Sequence, residues 1–226
     1  MTAVHLSQLS LNARSQEVLN DLGSPSEMHK TLWRAFPDAD AGGPGRVIFR
    51  VDLPEPSTPH GAIVLVQSER QPEWSALPSG YLSEPAQSKP ISYDGLVSIG
   101  ETLRFRLLAN PTKKVRVEGK KNGSRHGLLK EADQIAWLVR KGEAGGFAVD
   151  VSSLLVTPLG MLPALPTRPM RSVKSATKGQ PTWLAVRYTG LLRVTDAEAL
   201  ASTLTAGIGS AKAFGFGLLS VAPVGY

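Results

Sequence analysis

The sequence predicts an α+β chain built from short strands and amphipathic helices in two successive units. Three observations carry this. Apolar residues alternate with polar ones, or form short runs, between the 22 glycines and 17 prolines of the 226 residues. Two helices open on S/T-x-x-E boxes, Ser24 to Glu27 and Thr195 to Glu198, in which an N-cap hydroxyl and the carboxylate three residues on satisfy each other's backbone donors. The elements of the second half then follow in the order βαββαβ.

Val4–Leu11 alternates with period two over most of its length, the mark of a half-buried strand. Pro25 suits the first position of the next helix. Met28, Leu32, Ala35 and Phe36 share its apolar face, and Pro37 is expected to stop it. Val47–Val51 and Ala62–Val66 read as strands, and the Pro- and Ser-rich stretch 68–93 has little pattern, with Pro85–Tyr93 as the expected linker. Beyond it, Thr102–Leu108 is a strand and Glu131–Lys141 a helix with Ile135, Leu138 and Val139 inward. Phe147–Val156 and Trp183–Val194 are strands, a helix bearing Leu200 and Leu204 is closed by Gly207 at C′, and Leu218–Val221 is the last strand. This is the ferredoxin-like split βαβ pattern, and the first half reads as a decayed copy. The expected domains are 1–90 and 91–226.

The composition narrows the function. A net charge of +6 and a pI near 9.7 point to a polyanionic partner. With no cysteine, disulfides, thiol catalysis and cysteine-ligated zinc are excluded. No apolar run is long enough for a membrane helix and no signal-peptide pattern opens the chain, so a cytoplasmic protein without membrane contact is expected. The four histidines form no H-x-x-x-H pair and there is no G-x-S-x-G elbow. Neither a protein-built metal site nor a hydrolase triad has an anchor, and no cofactor is expected.

Basic residues cluster twice. Lys113, Lys114, Arg116, Lys120, Lys121, Arg125 and Lys130 stand against Glu118 alone in a glycine-punctuated loop or hairpin, and Arg168, Arg171, Lys174 and Lys178 lie in a Pro/Gly-rich connection. One such run is ordinarily a solvated face; two flexible ones favour phosphate binding. Aromatics do not interleave with them, so recognition of a folded RNA by backbone and shape is expected.

The run G-I-G-S-A-K-A-F-G-F-G-L-L, from Gly207 to Leu219, follows a helix and precedes the last strand. It is not a P-loop, since Phe214 stands where the second glycine belongs. Nor is it a dinucleotide fingerprint, since Lys212 replaces the third. It reads either as an anion-binding concavity of backbone N–H groups around Gly209 and Lys212 or as a turn packed tightly on a sheet. His29 lies at the edge of its helix's apolar arc, with Lys30 and Arg34 on the polar side. Alone, such a histidine is more often structural than catalytic.

Taken together, M-H-K-T-L-W-R-A-F-P from Met28, F-R-L-L-A-N-P-T-K-K from Phe105 and I-G-S-A-K-A-F-G-F-G-L-L from Ile208 resemble the CasE-type CRISPR-associated endoribonucleases of the type I-E Cascade complex. The resemblance spans nearly the whole chain. It implies two ferredoxin-like domains, a precursor CRISPR RNA repeat hairpin as substrate, metal-independent cleavage, and retention of the cut RNA with the other Cascade subunits. It places the catalytic histidine at His29 and the neighbouring basic residue at Lys30. Many relatives carry a tyrosine one turn earlier, where this chain has Ser26. The alternatives are an RNA-binding subunit of this fold without activity, and an unrelated basic interaction protein.

Overall fold

The computed structural model describes residues 3–38, 40, 42–54, 61–115, 124–163 and 182–225. Two antiparallel four-stranded sheets carry the chain, together with a two-stranded ribbon. The chain divides into two compact units: Met1–Ser92 with Leu162–Thr182 and Lys212–Gly215, and Tyr93–Met161 with Trp183–Ala211 and Phe216–Tyr226. The four residues Lys212–Gly215 thus group with the first unit, although their neighbours on both sides belong to the second.

In the first unit, β1 (Val4–Ser10), β2 (Val47–Asp52), β3 (Ile63–Ser68) and β4 (Gln87–Ile91) lie in the order β2-β3-β1-β4. Two helices, α1 (Gln16–Leu22) and α2 (Pro25–Trp33), follow β1. Leu9, Met28, Leu32, Phe49, Val64 and Val66 join their apolar faces in one core. Between β3 and β4, where a complete ferredoxin-like unit has its second helix, there is only a 3₁₀ turn, Trp74–Ala76.

Three details depart from the sequence reading. β4 lies inside the expected linker: its residues Gln-Ser-Lys-Pro-Ile are nearly all exposed and show no alternation, and its Pro90 is admissible because β4 is an edge strand. Helix α1 is only seven residues long with Val18 as its single buried apolar residue, too little for a periodic signal. Helix α2 ends at Trp33 with Arg34 as C-cap, before Pro37. Ala35 and Phe36 are still buried, but from the turn beyond the helix, with Phe36 edge-on to Trp33 and Trp74.

Ser24 caps α2 as expected, its Oγ accepting from the Glu27 N–H at 3.4 Å. Beneath the helix pair, the buried Tyr81 hydroxyl donates to Asp21 Oδ2 at 2.6 Å and lies 3.5 Å from Met28 Sδ. This fastens α1 and α2 to the segment before β4.

The second unit has the full βαββαβ order: β5 (Thr102–Ala109), α3 (Glu131–Ala144), β8 (Phe147–Pro163), β9 (Thr182–Val194), α4 (Ala197–Ala206) and β10 (Leu219–Pro223), with sheet order β10-β5-β9-β8. Leu103, Phe105, Leu107, Leu138, Phe147, Leu192 and Leu204 are buried. Trp137 stacks on Tyr188 with ring centroids 6.2 Å apart. The N-cap of α4 is Asp196, whose carboxylate accepts from Ala199 N at 3.0 Å, not Thr195: the cap lies one residue later, and with alanine at the third helical position the expected box does not form. The basic segment after β5 forms the ribbon β6 (Thr112–Val115) and β7 (Ser124–Gly127). Among the described residues no helix is long and apolar enough to cross a membrane.

Candidate active site

His29 stands on the second turn of α2, a helix placed by its Ser24 cap and by Met28, Thr31 and Leu32, which point into the unit. Its imidazole Nδ1 lies 2.8 Å from the carbonyl oxygen of Ala213. A carbonyl can only accept, so Nδ1 carries the proton and Nε2 keeps its lone pair. The ring packs against Trp33, one turn along the helix, with centroids 3.7 Å apart and the planes tilted by 34°, and Phe214 lies 5.8 Å away at a similar tilt. Burial lowers the His29 pKa below its ordinary 6.5, against the smaller opposing effect of the Ala213 carbonyl. This half-buried imidazole therefore favours the neutral form.

Ala213 is in the middle of a 3₁₀ turn, Lys212–Phe214, reached through a backbone with unusual dihedrals. Ala211 has φ +62°, uncommon for a residue with a Cβ. Gly215, at φ +87°, lies so close to the sheet that a Cβ there would stand 3.1 Å from the Phe49 ring. A larger residue could not hold the turn in this place. At the other end of the run a Cβ on Gly209 would meet Trp137 at 3.1 Å. That contact accounts for Gly209 by tight packing within the second unit.

A cleft of about 560 Å³ shares Trp33 and Ala213 with the histidine and is lined also by Arg46, Val47, Glu69 and Lys212. Arg46 Nε is 3.8 Å from Glu69. The cleft thus carries two cations, Arg46 and Lys212, and one carboxylate, next to the Trp33 and Ala213 that touch the imidazole.

The other expected residues are distributed differently. Lys30 Nζ is exposed and held by Glu27 at 2.8 Å, while Arg34 lies 4.0 Å from Glu17. Exposed pairs of this kind are worth at most about 1 kcal/mol, so either cation can be drawn to a phosphate. Ser26, one turn before His29, is half-buried. On the ribbon, Lys113 pairs with His126 and Lys114 with Arg125, all of them exposed, and Arg125 Nη1 reaches Thr112 Oγ1 at 3.5 Å. Arg116, Lys120, Lys121, Arg168, Arg171, Lys174 and Lys178 lie outside the described residues. Sequence reasoning missed Trp33, Arg46 and Ala213. Trp33 carried a signal, its i+4 spacing from His29; a backbone carbonyl carries none.

A family model described as CRISPR associated protein matches residues 4–223. The chain is 36% identical over 223 residues to the CRISPR-associated endoribonuclease Cse3 of Thermus thermophilus, covering 96% of this chain and 99% of that protein. It is 33% identical over 205 residues to the CRISPR system Cascade subunit CasE of Escherichia coli, covering 88% and 92%. A solved structure of the CRISPR endoribonuclease Cse3 bound to a 19-nucleotide RNA superposes with a TM-score of 0.81 at 35% identity, over 98% of this chain and all of that one. By sequence along nearly its whole length and by fold, this chain belongs to the CRISPR-associated protein family of the Cse3/CasE endoribonucleases.

Proposed function

We propose that this protein is a metal-independent endoribonuclease that binds the repeat hairpin of precursor CRISPR RNA, cuts at the 3′ base of the hairpin, and retains the product within a cytoplasmic Cascade complex. The observation that carries the reading is the His29–Ala213 hydrogen bond. It holds a single tautomer and leaves Nε2 as a base, on a helix beside a cationic cleft.

The ribose 2′-hydroxyl is a nucleophile already in place, needing alignment, proton transfer and charge stabilisation. Nε2 of His29 takes the hydroxyl proton as O2′ attacks the adjacent phosphorus in line. The P–O5′ bond breaks, the departing O5′ takes up a proton from water, His29 releases its own to solvent, and the products are a 2′,3′-cyclic phosphate and a 5′-hydroxyl. Lys30, Arg34, Arg46 and Lys212 are the cations available to offset charge on the phosphorane. On the ribbon, Lys114 and Arg125 face each other, an arrangement that costs stability in isolation and that a polyanion would relieve. Further support comes from the relatives' names: one is a Cascade subunit and another an endoribonuclease.

The test is single-turnover cleavage of a repeat hairpin in EDTA. The parent protein is expected to cut; His29→Ala should lose cleavage by about 10²-fold or more while hairpin affinity stays within a few fold. A single 2′-deoxy sugar 5′ of the cut should bind and resist. Cutting of that substrate, or a need for Mg²⁺, would overturn the mechanism. Binding without cutting would leave an RNA-binding subunit, the reading that Ser26 favours in place of the relatives' tyrosine.

A further inference from the structure

The sheet of the second unit has one face on its core and the other turned away from it. In β5, the buried Leu103, Phe105 and Leu107 alternate with Thr102, Arg104 and Arg106. In β9, the buried Tyr188 and Leu192 alternate with Thr189, Leu191 and Arg193. The register then assembles the outward face. Arg104 is flanked by Leu191 and Ala222, Arg106 by Thr189 and Ser220, and Arg193 stands opposite Thr102. Strands β5, β9 and β10 contain no aspartate or glutamate.

A cleft of about 480 Å³ lies on this face, lined by Arg104, Arg106, Ser153, Thr189, Leu191 and Ser220. Arg104 Nε donates to the Pro223 carbonyl at 3.2 Å, which places its guanidinium along the end of β10. Ser153 Oγ accepts from Leu191 N at 2.9 Å. The nearest carboxylate on β8, Asp150, is occupied by the N–H and hydroxyl of Ser152 at 3.0 and 2.6 Å.

We propose that this face is a second RNA surface, separate from the hairpin site, which takes single-stranded RNA by its phosphates on Arg104, Arg106 and Arg193. Charge complementarity selects the occupant: three guanidiniums with hydroxyls between them and no acid on their strands suit a polyanion. Residues two apart on a strand project about 7 Å apart, which is comparable with the step between successive phosphates of an extended single strand. Phe105 and Tyr188 point inward, so binding on this face rests on the backbone and on guanidinium planes rather than on aromatic stacking.

The proposal does not depend on cleavage at His29, and its test uses binding alone. Fluorescence anisotropy on the full chain compares an unstructured RNA of about ten nucleotides, within the usual site sizes for single strands, with the isolated repeat hairpin. The parent should bind the single strand. Replacing Arg104, Arg106 and Arg193 together by Gln should weaken that binding about 10- to 100-fold and reduce the salt slope by roughly 1–2 units, at about 0.7 per phosphate. Hairpin affinity should stay within about two-fold, and Lys at the same positions should restore most of the loss. If the triple variant does not fold, Arg104→Gln and Arg193→Gln, both exposed, serve singly, each weakening the single strand several-fold. No single-strand binding by the parent, unchanged affinity in the Gln variants, or an equal loss of hairpin affinity would overturn the proposal. Loss of assembly with another protein subunit at unchanged single-strand affinity would also overturn it, and would give the face to a protein.

Discussion

His29 Nδ1 and the Ala213 carbonyl oxygen are 184 residues apart in the chain and 2.8 Å apart in the structure. The bond decides which imidazole nitrogen is protonated, and so, on the proposed mechanism, brings the glycine-rich run to the chemistry through its backbone as well as through Lys212. On that mechanism the carbonyl orients the base as the carboxylate of a hydrolase triad does; unlike one, it carries no full charge, and it raises the pKa by less than burial lowers it.

Cleavage should follow the neutral form of His29. Since burial lowers its pKa below 6.5, the rate should rise with pH through an inflection below that value and stay level through pH 7 to 8. The same shift makes the histidine contribute stability that is present above the unfolded-state pKa and is lost as pH falls through the folded one. Single-turnover rates from pH 5 to 8 check the first point, and imidazole ¹⁵N shifts check the tautomer. A rate falling from pH 6 to 8 would make His29 the acid.

Gly215→Val should reduce cleavage about ten-fold or more with little change in hairpin affinity. The left-handed backbone costs a β-branched residue at least about 1–2 kcal/mol, and the added Cβ meets Phe49, itself buried. The turn must shift, carrying Ala213 away from the imidazole. A variant with parental rates and an unaltered ¹⁵N spectrum would remove the carbonyl from the mechanism.

On the ribbon, Lys114→Gln with Arg125→Gln should weaken hairpin binding and lower its salt slope by up to about 1.8 units if both contact phosphate, at about 0.9 each for a duplex. The free protein should melt at the same temperature or slightly higher, because like charges across the ribbon repel by a few tenths of a kcal/mol to about 1 kcal/mol. An unchanged slope would move the hairpin to other cations.

Ser26→Tyr should speed single-turnover cleavage roughly ten-fold if a phenol one turn before His29 orients or protonates, as one positioned proton donor is typically worth that or more. Ser26→Ala should change little. A large loss in the alanine variant would give this serine a catalytic or positioning role of its own.

The second unit was readable because its strands alternate, α3 is long and amphipathic and α4 opens on a capping residue, local signals that agree. The first was harder for physical reasons that differ by element. β4 is an exposed edge strand held by backbone pairing to β1, so its side chains record nothing. Helix α1 buries too little to show a period. At the site, His29 was visible as a helical residue with basic neighbours, and the i,i+3 pairing of Glu27 with Lys30 was open to the same reading. The bond to Ala213 was not, because peptide carbonyls are identical in every sequence; only the unusual density of glycine marked the place.

The assignment of Lys212–Gly215 to the first unit has a consequence in time. At about 5–20 residues per second of synthesis, the 184 residues between His29 and Ala213 take roughly 10–40 s to make. Through that interval a ribosome-bound chain can fold α2 and present an imidazole, yet nothing holds its tautomer and no Phe214 shields it. On the proposed mechanism, full activity then waits until translation is nearly over, when the run that completes the site has emerged. Chains halted before residue 212 would retain His29 without the carbonyl that accepts from it.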